Sequence, residues 1–309
     1  MTSDDLKIMQ SWSLDRKIQV SQTRILEWIN YYGENNVYVS FSGGKDSTVL
    51  LDLCRRICPF IPAVFVDTGL EYPEIKQFVK SKENVIILTP EMNFRQVINL
   101  YGYPVVSKKV ARMIYDCQNV TDKNKVTVNL YKTGLKKDGS VSKYFKLPNK
   151  YIKLIDSSFR VSHKCCDIMK KNPLHKYEKQ THKKAIVGTM CSESFSRTQG
   201  WFKTGCNAFN SSYPKSMPLS FWTESDILEY IHRFNLPYCS VYGDIVFSDG
   251  KYSTTGEKRT GCMFCMFGIQ LEKSPNRFER MKESHPSIYN YCINNLGCGS
   301  ILDFLNIPY

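Results

Sequence analysis

The 309-residue sequence has no apolar run approaching the roughly 20 residues that a bilayer-spanning helix needs, so a membrane partner is not expected. Its opening residues, Met1-Thr2-Ser3-Asp4-Asp5-Leu6, are acidic and polar and lack the apolar core of a secretory signal. A cytoplasmic protein is the expectation. No internal repeat or low-complexity tract is present, which argues against a solenoid or a long disordered linker. The five histidines (His163, His175, His182, His232 and His285) show no metal-ligand spacing, and no role is assigned to them. The Walker A pattern is missing too: its first glycine would fall on Val39 and its Ser/Thr on Asp46.

What is present is 42% hydrophobic residues, enough for one large α/β domain or one domain with an appendage. In a reducing compartment, twelve cysteines point to metal binding or thiol chemistry more than to a disulfide framework. Cys54, Cys58 and Cys117 lie in apolar helical stretches and read as small packing residues. The formal charge is +13 and unevenly placed. Residues 121–184 carry 17 Lys+Arg against 5 Asp+Glu, whereas the flanking stretches are nearly balanced. Such a concentration suits a polyanion such as nucleic acid, or else a solvated lysine-rich insertion.

Leu6 to Tyr32 reads as helix from its apolar spacing. Short β-rich or apolar runs at 36–41, 63–67, 84–89 and 184–189 read as strands, with helices between them over 46–57 and 72–79. Continuous apolar strands alternating with helices predict a Rossmann-like α/β fold, its parallel sheet covered on both faces by helices. Ligands of such sheets sit at the strands' carboxyl ends. Three segments fall there: Ser42–Ser47, Asp67-Thr68-Gly69, and Gly188 through Arg197. Residues 126–131 and 143–147 flank Lys136-Lys137-Asp138-Gly139-Ser140 and read as an inserted basic β-hairpin at about 121–156. From Pro218 the chain reads as mostly helical, with a second hairpin near Ser248-Asp249-Gly250. The expected blocks are an N-terminal helical segment (1–35), a nucleotide-binding domain (36–217) and a cysteine-containing helical region (218–309).

The strand that runs into Ser42-Gly43-Gly44-Lys45-Asp46-Ser47 and then a helix is the strongest signal. Two glycines let the backbone approach an anion, and successive N–H groups can point at it. The positive end of the following helix faces the same anion. Ser42, Ser47 and Thr48 add hydroxyl donors and Lys45 a compact charge.

This loop, with Val66-Asp67-Thr68-Gly69-Leu70-Glu71-Tyr72-Pro73-Glu74, resembles the phosphoadenylyl-sulfate (PAPS) reductase branch of the PP-loop adenine nucleotide α-hydrolases. Further matching segments follow in order: Cys165-Cys166 before Asn172-Pro173-Leu174, Gly188 through Arg197, Met217 through Ile227, and Gly261-Cys262-Met263-Phe264-Cys265. The resemblance implies an adenine nucleotide (ATP, or PAPS/APS) over the first strand's loop with Mg²⁺. Its binding residues would be Ser40, Ser42, Gly43, Gly44, Lys45, Asp46, Ser47, Asp67, Thr68, Gly188, Glu193 and Arg197, with Lys45, Asp46 and Arg197 catalytic. It also implies that Cys165, Cys166, Cys262 and Cys265 hold a [4Fe–4S] cluster. Zinc or a redox dithiol is the second reading of these four, and buried inert thiols the third. Lys164, beside the pair, could offset some of a cluster's negative charge.

Two departures bear on function. Sulfonucleotide reductases use a nucleophilic cysteine in a C-terminal Glu-Cys-Gly-Leu-His segment, whereas this chain has Asn295-Leu296-Gly297-Cys298-Gly299-Ser300. Reductases also commonly carry a degraded phosphate loop, and here Lys45 and Asp46 are intact. The first expectation is therefore an ATP-using iron–sulfur enzyme that adenylates a substrate, with pyrophosphate release, in nucleic-acid or small-molecule sulfur transfer. A sulfur-donor protein or a second copy of the chain would be its partner. The alternatives are a PAPS/APS reductase working through Cys298 or Cys292, and a non-catalytic nucleotide-binding subunit.

Overall fold

The computed structural model describes all 309 residues. In chain order the helices are α1 (Ser3–Gln10), α2 (Leu14–Tyr32), α3 (Lys45–Arg55), α4 (Pro73–Lys80), α5 (Phe94–Tyr101), α6 (Lys108–Gln118), α7 (Lys125–Thr133), α8 (Asn172–Thr181), α9 (Phe195–Thr204), α10 (Glu224–Arg233), α11 (Arg277–Ser284), α12 (Pro286–Asn290) and α13 (Cys298–Phe304). The strands are β1 (Val37–Ser40), β2 (Ala63–Val66), β3 (Val85–Leu88), β4 (Val105–Val106), β5 (Lys184–Val187), β6 (Asn207–Ala208), β7 (Lys215–Ser216), β8 (Ile245–Ser248), β9 (Lys251–Thr254) and β10 (Met266–Phe267). No helix is long and apolar enough to cross a membrane.

Two compact units result. The first comprises Met1–Asp67, Glu71–Thr89 and Pro173–Thr260; the second comprises Thr68–Leu70, Pro90–Asn172 and Gly261–Tyr309. These interleaved units partition the chain differently from the contiguous blocks 1–35, 36–217 and 218–309.

The first unit is a Rossmann-like layer with strand order β3-β2-β1-β5-β7-β6. All neighbours are parallel except the edge pair β6–β7. Val37, Tyr38 and Val39 are all buried, because a central parallel strand has both faces covered. The chain winds outward from β1 through β2 to β3, and β5 returns on the other side of β1. The order therefore reverses between β1 and β5, and the loops after both strands open at that switch point.

The long N-terminal helix expected over Leu6–Tyr32 is two helices. Ser13 accepts a hydrogen bond from the Arg16 N–H and caps α2, so its hydroxyl restarts the helix. On α2, Lys17 is 2% exposed and bonds both oxygens of Asp226 at 2.7 Å. Asp226 also completes a capping box with Thr223 at the start of α10. Trp222 Nε1 donates to Ser21 Oγ, which donates to the Pro218 carbonyl. Most of the Pro218–Asp226 motif is thus anchoring for α2.

The second unit is mainly helical around a short parallel pair, β4 with β10, in register Val105–Met266 and Val106–Phe267. The inserted β-hairpin expected at 121–156 needs correction. Residues 126–131 lie in α7, with Val128 buried and Val126 on the exposed side. Their β-branched residues find no partner strand, and the helical burial of Val128 wins over local propensity. What remains of a hairpin is the single bridge Leu135–Val141 around Asp138-Gly139. The second expected hairpin, β8–β9 around Asp249-Gly250, is formed in the first unit.

Candidate functional site

The phosphate loop follows β1 directly. Gly43 has φ of +72°, a conformation that disfavours any side chain, and a Cβ there would come within 2.8 Å of Val79 Cγ2. The turn is laced internally. Ser47 Oγ accepts from the Ser42 N–H at 3.2 Å and donates to the Gly44 carbonyl at 2.9 Å. Thr48 Oγ1 reaches the same carbonyl at 3.0 Å, and Ser42 Oγ accepts from the Gly44 N–H at 3.3 Å. These bonds hold the N-terminus of α3 open towards the carboxyl end of β1.

Lys45 is buried, and its ammonium donates to the Lys258 carbonyl at 2.6 Å and pairs with Glu224 at 2.8 Å. Its backbone N–H donates to the Tyr242 hydroxyl at 3.2 Å, and that hydroxyl lies 2.6 Å from Thr260 Oγ1. A carbonyl, a carboxylate and a phenol oxygen thus satisfy the donors that a phosphate would use. Asp46 has a half-buried side chain, but its Oδ1 is wholly enclosed and has no hydrogen-bond partner. Burial pushes its carboxyl above the usual range, against the pull of Lys45 and, more weakly, of Arg259 and Arg197.

The loop after β5 shares this end of the sheet. A Cβ on Gly188 would sit 3.2 Å from the Asp46 carbonyl, a tight contact, so glycine lets the two backbones approach closely there. Arg197 pairs with Glu193, whose Oε2 also accepts from the Met190 N–H at 2.9 Å. Burial, and then the neighbouring Arg259, lower the Arg197 pKa. Ser40 closes β1, aligned with Val64 and Val187. Asp67 directly follows β2, and its carboxylate pairs with Lys76 at 2.7 Å. Thr68, buried in the second unit, accepts the Leu70 N–H on its hydroxyl at 3.2 Å. Glu224, Tyr242, Arg259 and Thr260 were missed as loop neighbours. Glu224 lies within the matching segment Met217 through Ile227, but no spacing ties any of the four to the loop, and only the Lys258-Arg259 charge pair hints at an anion.

All four candidate cysteine ligands belong to the second unit and line one cavity of about 20 Å³, shared with Lys170 and Phe94. Cys265 N–H donates to the Cys262 carbonyl at 3.1 Å, closing the turn between them. The Met263 N–H donates to the Leu70 carbonyl at 2.8 Å, and Arg277 donates to the Cys265 carbonyl at 2.9 Å. Cys165 and Cys166 stand just ahead of a π-helical turn, Asp167–Lys171. Burial raises the thiol pKa of Cys165 and pushes that of Cys265 up to about 11. As placed, no three His, Cys, Asp or Glu side chains are arranged to hold a metal ion, and the cavity has room for about one water. The donor set itself, four soft thiols with a lysine on the lining, is of the chemical kind that iron–sulfur clusters or zinc take.

Cys292 and Cys298, the candidate reductase nucleophiles, are fully buried. Their mutual hydrogen bond, and then burial, drive the Cys292 pKa strongly upward. Cys54, Cys58 and Cys117 are buried, as packing residues would be.

The family model described as the phosphoadenosine phosphosulfate reductase domain matches residues 36–108 and 107–266. An uncharacterised protein of Methanocaldococcus jannaschii is 24% identical over 264 residues, covering 84% of this chain and 47% of its own length. The chain thus spans about half of that relative. An adenosine 5'-phosphosulfate reductase of Lysinibacillus sphaericus is 25% identical, with 69% of this chain and 71% of that protein covered. The solved phosphoadenylyl-sulfate reductase of Candida auris, in its phosphate complex, is 13% identical with a TM-score of 0.41, covering 78% of this chain and 90% of that one.

Proposed function

The chain belongs to the phosphoadenosine phosphosulfate reductase domain family, and from that premise we propose that it uses ATP to adenylate a substrate, releasing pyrophosphate, in a sulfur-transfer reaction. One observation carries the reading. An intact loop brings Lys45 and Asp46, whose Oδ1 is enclosed and unpartnered, to the mouth of the β1/β5 switch point, with Arg197 and Arg259 acting on the same carboxylate.

In this reaction a substrate oxygen attacks the α-phosphorus. The new O–P bond forms as the bond to the bridging oxygen breaks, and pyrophosphate leaves with that electron pair. The chain's work is positioning and charge neutralisation. Lys45 exchanges Glu224 and the Lys258 carbonyl for phosphate oxygens, and its N–H exchanges the Tyr242 hydroxyl. Arg197 exchanges Glu193 for a non-bridging oxygen, with bidentate geometry available to it. Asp46 would hold Mg²⁺, which supplies charge to the departing pyrophosphate. Cys165, Cys166, Cys262 and Cys265 would hold the [4Fe–4S] cluster, which supplies iron for binding sulfur or passing electrons.

The test is pyrophosphate release from Mg-ATP by anaerobically purified protein, screened over nucleic-acid and small-molecule acceptors. Release that disappears in Lys45→Ala supports the reading; no release with any acceptor sinks it.

Sulfonucleotide reduction is the second reading, favoured by the similarity to the Lysinibacillus reductase. It needs an accessible thiolate, and the burial of Cys292 and Cys298 counts against those two residues. Sulfite formed from APS or PAPS, and lost in Cys298→Ser, would establish it.

A further inference from the structure

Within the second unit a cavity of about 450 Å³ opens beside α6, in the size range of small-ligand pockets. Three cations line it (Lys108, Lys109 and Arg112), as do three rings (Tyr131, Tyr144 and Phe145). The cations are differently engaged. Lys108 pairs with Asp167 at 3.0 Å, while Lys109 donates to the Tyr144 carbonyl at 2.7 Å and stands 3.3 Å above that ring's centroid. Arg112 is exposed and makes no hydrogen bond or ion pair within the chain. Asp167, the one carboxylate on the lining, is already compensated by Lys108 and by Lys171 at 2.8 Å.

His163 also lines the cavity, its ring edge-on to Tyr115, while its Nδ1 is enclosed away from the open space. The rings come from α7 and the loop after it, inside the most basic stretch of the chain, and Tyr144 and Phe145 are exposed. A cationic recess with exposed aromatic faces is how proteins hold single-stranded nucleic acid: charge follows the backbone and rings stack the bases. A duplex keeps its bases stacked inside and cannot use the rings in this way.

We propose that this cavity binds one nucleotide of a single-stranded nucleic acid, its phosphate at Arg112 and the two lysines and its base against Tyr144 and Phe145. Only what then happens to that nucleotide rests on the sulfur-transfer reading; the binding does not.

The experiment is fluorescence anisotropy on the full chain with short labelled single strands, one arm DNA and one arm RNA, repeated at rising salt. The expected result is binding in at least one arm, weakened about tenfold by Arg112→Ala and by Tyr144→Ala, each of which removes a phosphate or stacking contact. Both residues are exposed, so the variants should fold, and far-UV circular dichroism checks this. Lys7→Ala, which removes an exposed lysine of the first unit, should bind as the parent does. The proposal is overturned if neither arm binds, or if duplex binds as tightly as single strand. It is equally overturned if Lys7→Ala weakens binding as much as Arg112→Ala does. Pyrophosphate release is measured on the same preparations. Strand binding without release would keep this inference and sink the adenylation reading; release without strand binding would do the reverse.

Discussion

The phosphate loop and the cysteine quartet are the two chemically loaded regions of the chain, and they are built by opposite means. The loop is one hexapeptide between a strand and a helix, shaped by the left-handed Gly43 and by bonds among Ser42, Gly44, Ser47 and Thr48. The quartet joins two pairs far apart in sequence. It depends on the β4–β10 pairing and on the bond from Met263 to Leu70. A site made of backbone should fail through local geometry, whereas a site made of thiols should fail through loss of any one ligand.

The largest expected effect lies at the loop. Lys45→Ala should lower pyrophosphate release by about 10²–10³-fold, as losing a preorganised charge does, while bound iron is unchanged. Iron lost together with the activity would break the separation of the two regions. Next come Cys165→Ser and Cys265→Ser. Each should abolish bound iron and visible absorbance in anaerobic preparations and leave far-UV circular dichroism intact. A quartet that keeps its iron after both substitutions is not the ligand set.

Gly43→Ala comes third. The positive φ and the contacts with Val79 and Ile75 should cost about 1–3 kcal/mol in urea unfolding and weaken ATP binding. A neutral result would mean that the loop can reshape.

The smallest effect concerns Asp46. Burial holds its folded pKa above the unfolded value of about 3.9, so its ionised form destabilises the fold. On this account the contribution of Asp46 to stability is most favourable in acid, falls as pH rises from the unfolded pKa to the folded one, and then stays reduced. Asp46→Asn should therefore raise the urea midpoint slightly at pH 7, with the gain fading below about pH 4. A midpoint lowered at neutral pH would mean that the carboxylate is well solvated or paired.

Much of the first unit was legible before any coordinates. Four apolar runs correspond to four of the sheet's strands: β1, β2 and β5 lie inside the sheet, where both faces are covered, and the edge strand β3 is apolar although its Ile87 is exposed. The short edge strands β6 and β7, two residues each, carry no comparable pattern. The break at Ser13 was missed because the apolar stripe runs on through α1 and α2 with little change of phase. In the second unit, α7 was misread as a strand because Val126, Thr127 and Val128 favour strands locally, while packing decides in favour of helix.

By itself the sequence determined the phosphate loop, since strand, glycine pair, lysine and helix are contiguous and their geometry follows from backbone chemistry. It also named the four thiols, because cysteine is the one residue type whose pairing in Cys-Cys and Cys-x-x-Cys has few bland uses. Only the tertiary structure decided that Glu224, Tyr242 and the Lys258 carbonyl occupy the loop's donors. It alone buried Cys292 against Cys298, and it alone assembled Lys108, Arg112, His163 and Tyr144 around one cavity. Lys45 is far in the chain from Glu224, Tyr242 and Lys258, as α6 is from His163 and Tyr144; their meaning lies in proximity, which folding supplies and spacing does not encode.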